Sequence, residues 1–151
     1  MNRHSFLQGN DPAATDGCLR RGQRVFCSNR GQRGGCGRTF SICFADILPR
    51  HTVSATLLWK LLGQMLAGVS AKAAAQSLRL PFVLETLYHL LHRLRQRLDA
   101  VRSFLCRQQK PPASSQSDPL LQTAEHLQAV FSKSLCPISA FQQLFQQPLL
   151  G

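Results

Sequence analysis

The chain has 151 residues and a formal net charge of +11, from 18 Lys and Arg against 7 Asp and Glu. That length suits one compact domain or two small ones and is too short for barrels and for doubly wound enzymes with a second domain. Hydrophobic residues are 44% of the chain, which argues against disorder throughout, and the one-sided charge points to a polyanionic partner, nucleic acid first.

The charge is uneven along the chain. Residues 1–50 carry a net +5, residues 51–110 a net +7 and residues 111–151 a net −1. Any polyanion-binding surface therefore belongs to the first two parts. No stretch approaches the roughly 18 apolar residues of a spanning helix, and the segment 1–10 has no apolar signal core, so the expectation is a cytoplasmic protein with reduced thiols and no membrane partner.

The first part, 1–50, is rich in Gly, Arg and Cys. Arg24-Val25-Phe26-Cys27 and Arg38-Thr39-Phe40-Ser41 read as two short strands around a loop. Such a segment buries little apolar area, and a metal is one way to stabilise it. Cys27 and Cys36, followed by Gly37, have the form of a zinc knuckle, in which a glycine lets backbone N–H groups turn toward the thiolates. Phe40 would cover the metal, and the insert 29–35 would loop out. Four ligands are needed, and these are two. Cys18 is the best third, with His4, Cys43 and His51 as substitutes in principle. Cys43 also reads as a small apolar strand residue, and the two histidines also read as exposed or phosphate-contacting.

The run Arg24 to Ser41, RVFCSNRGQRGGCGRTFS, resembles the N-terminal zinc ribbon of insertion-sequence transposases. In that family a first Cys-x-x-Cys knuckle precedes a middle strand and then the CGRTFS knuckle. Here Asn2 to Phe6 falls where the middle strand is expected, so the first knuckle would lie before Met1 and the chain would be clipped at its start. The resemblance implies zinc with an incomplete ligand set, and a DNA-binding helix-turn-helix after the ribbon.

The second part, 51–110, reads as that helix-turn-helix. Thr52 or Ser54 caps a first helix running to Leu66, and Gly68 ends it. Ser70 caps a second helix to Leu78, Arg79-Leu80 is the turn, and Pro81 starts one long third helix running to Arg107. In such a module the first turns of the second helix of the pair enter the major groove. The candidate DNA contacts are Arg79, Thr86 and His89, with Lys72 near phosphate, Arg93 and Arg97 on a phosphate track or simply a solvated face, and Arg38 as a further DNA contact. Glu85 either accepts from cytosine or offsets the helix dipole. Arg95 and Asp99 are spaced as an i,i+4 pair, and Arg102 lies on an outer face. Leu84, Leu87, Leu91, Leu94, Leu98, Val101 and Leu105 form a heptad seam, open either to a homodimer or to packing within the chain.

Residues 111–119 have linker composition, and 120–151 read as a small helical tail with helices from Leu120 to Phe131 and from Ile138 to Phe145, separated at Cys136-Pro137. Cys106 and Cys136 are expected to be buried thiols. The seven scattered acids offer no carboxylate triad for two metal ions, and no phosphate loop or nucleophile elbow is present in the sequence. The resulting expectation is a mainly α protein with a small β zinc-ribbon-like start, acting as a non-catalytic, transposase-like binder of duplex DNA. Two other readings stay open: the DNA-end-binding subunit of a split transposase with a separate catalytic subunit, and a helical dimerisation protein with weak nucleic-acid affinity.

Overall fold

The computed structural model describes residues 2–10, 18–29, 34–80 and 82–150. It is mainly helical with a small antiparallel sheet. Three strands, β1 (Asn2–Asn10), β2 (Cys18–Phe26) and β3 (Thr39–Cys43), stand in the order β1-β2-β3. Val25 pairs Arg3 on one side and Phe40 on the other. The sheet barely makes a core. Val25 is buried, but Phe6, Phe40, Ile42 and Phe44 stay exposed. Part of that apolar surface is covered by charge: the Arg20 guanidinium lies 3.3 Å from the Phe6 ring centroid. Gly22 lets β2 and β3 close, because a Cβ there would sit 2.2 Å from the Ile42 carbonyl oxygen.

Six helices follow: α1 (Ala55–Leu66), α2 (Ala71–Ser77), α3 (Leu84–Gln96), α4 (Leu98–Cys106), α5 (Pro119–Val130) and α6 (Pro137–Phe145). The local signals place most of their ends. The Ser54 hydroxyl accepts from the Leu57 N–H at 3.1 Å and the Ser70 hydroxyl from the Ala73 N–H at 3.3 Å, each satisfying a first-turn amide with no helical partner. Gly68 follows α1 at φ +86°. Asp118 caps α5, its carboxylate accepting from Leu120 N–H at 2.8 Å, with Pro119 in the first turn.

The long third helix is corrected. Pro81 lies outside the described residues, α3 begins at Leu84, and the run to Arg107 is broken at Arg97. There the amide of Arg97 donates to Leu94 O at 3.0 Å, one residue short of helical spacing. The reason lies in the seam. A straight helix drifts about 20° per heptad relative to a 3.5-residue stripe, and the tight turn lets α4 bring Leu98, Val101 and Leu105 back onto the core. The seam itself is filled within the chain. Leu87, Leu91, Leu94, Leu98, Val101 and Leu105 are each 7% exposed or less, and Leu84 packs at the edge of the same cluster. They meet Leu58, Leu61 and Leu62 of α1 and Leu120 and Leu127 of α5, so this stripe is not left over for a second copy.

The tail shares that core. Ile138 and Phe141 of α6, with Leu149 and Leu150 beyond it, are buried in the cluster that holds α1 to α5. Phe104 meets Phe141 edge-on at 6.1 Å, and Phe145 stacks at 4.9 Å on Phe141. The segment 111–118 lacks regular structure, as its composition implies, but it connects two layers of one core rather than two bodies. Arginines fasten α5. Arg95 binds Asp118 at 2.8 Å, replacing the expected Arg95–Asp99 pair. Arg102 donates to Thr123 Oγ1, Pro119 O and Gln122 Oε1. Of the two thiols expected to be buried, Cys136 is buried and Cys106, at the outer end of α4, is exposed.

Candidate nucleic-acid interface

Two features of the sequence were expected to carry chemistry: the cysteine knuckle and the face of the third helix. At the knuckle, Cys27 N–H donates to Arg38 O and Gly37 N–H donates to Cys27 O, both at 2.9 Å. The Cys36 N–H lies 3.4 Å from Cys27 Sγ, and Gly37 takes φ +68°, where a Cβ would be strained. Bonds from the Cys36 amide and side chain hold the Cys27 thiol below its usual range. The Cys36 N–H thus faces the Cys27 sulfur, with Gly37 next to it at positive φ.

The third ligand is corrected. Cys18 opens β2 and Cys27 follows its last residue, so a strand rising about 3.3 Å per residue holds them about 30 Å apart. One ion cannot span that distance. Among the described residues no group of three or more His, Cys, Asp or Glu is placed to hold a metal. Cys43 is exposed rather than packed as a small apolar residue, and Phe40 is exposed rather than covering a metal. The His4 side chain lies outside the described residues. Among the described residues the donors do not fit a closed tetrahedral zinc site.

The helical face is better assembled. Thr86, His89 and Arg93 are spaced by three and four along α3 and share one side of it. That side faces the turn before α1, and the two together line a recess of about 230 Å³ with Arg50, His51, Thr52 and Phe82. The volume is far above the ~10–15 Å³ that one water needs, so the recess admits a solute. No carboxylate lines it among the described residues. Glu85 stands outside, 3.7 Å from His89 Nε2, with both side chains mostly in solvent.

The turn that carries Arg50 and His51 is held from the sheet. Arg21 on β2 donates through Nη2 to the carbonyls of Leu48 and His51. His51 N–H closes the turn on Leu48 O at 3.1 Å, with Arg50 at φ +64°. On the other side Gln142 of α6 donates to Ala45 O and Ile47 O. His51 Nε2 is shut off from solvent and has no hydrogen-bond partner among the described residues. Burial pulls the His51 imidazole below its usual range, and the charges of Arg93 and Arg21 push it the same way. A neutral imidazole beside two guanidinium groups marks a site short of negative charge.

The other expected contacts spread around this recess or away from it. Lys72, in the first turn of α2, and Arg79, in the α2–α3 turn at φ +48°, are exposed and do not line the recess. Arg97 follows Arg93 by one turn but is half-buried, with its Nε enclosed and without a hydrogen-bond partner among the described residues. Arg38 belongs to the knuckle. Arg50, Thr52 and Phe82 were not anticipated as site residues, and the only signal for them was the basic pair Arg50-His51 ahead of a capped helix. Comparison with family models, with curated proteins and with solved structures found no match for this chain. Among the described residues no helix is long and apolar enough to cross a membrane.

Proposed function

We propose that the chain is a non-catalytic, transposase-like DNA-binding protein in which α2 and α3 act as a helix-turn-helix and the recess beside α3 grips a DNA phosphate. The observation that carries this reading is the convergence of Arg50 and Arg93, with Thr52, Thr86 and two histidines, on one recess without a carboxylate. Left alone, two guanidinium groups facing one recess repel. A phosphate oxygen relieves that repulsion and takes up the N–H donors in paired hydrogen bonds. Lys72 and Arg79 extend the cationic surface along α2 and its turn, where they add charge without base readout.

In this reading the small sheet is a ribbon-like brace. It positions the Arg50–His51 turn through Arg21, and its knuckle supplies shape without a closed metal site. Gel retardation of duplex DNA across a salt series tests the proposal. Affinity is expected to fall steeply as salt rises, and the slope of log K against log salt is expected to shrink by about one in R93Q, the loss of one phosphate contact. Absence of any retardation at low salt overturns it.

A further inference from the structure

The recess beside α3 brings Arg50 and Arg93 together with no carboxylate among its described lining residues. We infer that it is a site for a phosphate monoester, the terminal phosphate of a DNA strand, rather than for an internal phosphodiester. The inference rests on the DNA-binding reading of this surface and narrows it.

Charge is the first argument. Arg50 and Arg93 bring two permanent positive charges to the recess, and Glu85, the nearby acid, is already set against His89 in solvent. A monoester carries close to two negative charges near neutral pH. An internal diester carries one and would leave a guanidinium uncompensated inside the recess. Donor count is the second argument. A monoester presents three terminal oxygens, a diester two. Arg50 and Arg93 each offer a fork to one oxygen. Thr52, Thr86 and His89, exposed on the wall of the recess, are the groups left to meet the third. Phe82 adds an apolar wall on which a terminal sugar or base edge can rest.

The test uses one duplex sequence in four forms: 5′-phosphorylated, 3′-phosphorylated, hydroxyl at every end, and a covalently closed circle. Fluorescence anisotropy at fixed salt reads the affinities. One phosphorylated form is expected to bind about tenfold tighter than the hydroxyl-ended form, the scale of one added charged hydrogen bond. Which form it is identifies the strand end. In R50Q and R93Q that preference is expected to vanish, with far-ultraviolet circular dichroism confirming that these exposed positions leave the fold intact. Equal, salt-sensitive binding of all four forms overturns the monoester site and leaves the broader DNA reading standing. A phosphoserine peptide that displaces the phosphorylated duplex at matched concentration overturns the assignment to nucleic acid.

Discussion

Replacing Phe141 by alanine tests whether the C-terminal helices belong to the same cooperative unit as the recess. Phe141 is 1% exposed and is wedged between Phe104 of α4 and Phe145 of its own helix. Truncating a buried phenylalanine costs about 3–5 kcal/mol, from lost transfer energy and the cavity left behind. The helical core runs over roughly a hundred residues, for which unfolding entropy is ~2.1 cal/mol/K per residue, so each kcal/mol moves the midpoint by ~5 °C. The expected drop in F141A is therefore ~15–25 °C, in a single transition followed by circular dichroism at the helix band. Function should follow, because Gln142 beside it holds the carbonyls of Ala45 and Ile47 that anchor the Arg50–His51 turn. Two transitions, with the main one at its original midpoint, would show that the tail folds apart and refute the single core.

Three further outcomes are expected. Asp118→Ala removes the α5 cap and the Arg95 ion pair, which should lower stability by about 1–2 kcal/mol in urea unfolding. Burial raises the Asp118 carboxyl, but the Leu120 amide and Arg95 outweigh it and hold it below the usual range. Its contribution is thus present above the unfolded carboxylate pKa and is lost as pH falls through the folded value, a loss that D118A should not show. His51 is held below the usual imidazole range when folded. Protonation then favours the unfolded chain, so stability should decline as pH falls through the ordinary histidine range, and His51→Gln should flatten that segment of the profile. The Cys27 thiol, lowered by the Cys36 amide, should alkylate faster near neutral pH in the folded chain than in urea, and equal rates would refute the knuckle geometry.

Much of the helical layout was legible because its signals are local. Ser54 and Ser70 cap where their hydroxyls can reach first-turn amides, and Gly68 ends α1 in the left-handed region. The alternation of three and four from Leu84 to Leu105 marked buried positions correctly but said nothing about what buries them, since an apolar stripe reads the same against a second copy or against α1 and α5. The break at Arg97 had no residue signal at all; there is no proline or glycine there, and packing alone imposes it. Cys18 misled because distance along the sequence does not reveal an extended strand, which carried it away from Cys27. Arg95 reads as a partner of Asp99 and Arg102 as an outer-face charge, and both are fastened to α5.

By itself the sequence determined the excess of positive charge, and also the helix caps and the apolar stripes, which depend on residues a few positions apart. Tertiary structure decided the rest. It folded the tail into the core, split the long helix, separated Cys18 from the knuckle and set Arg50 and His51 against Arg93. The last of these joins residues more than 40 positions apart in sequence. No local preference encodes such a meeting; it follows only once burial of the shared apolar core has set α3 against the turn before α1, and it is there that the charge counted in the sequence acquires a place to act.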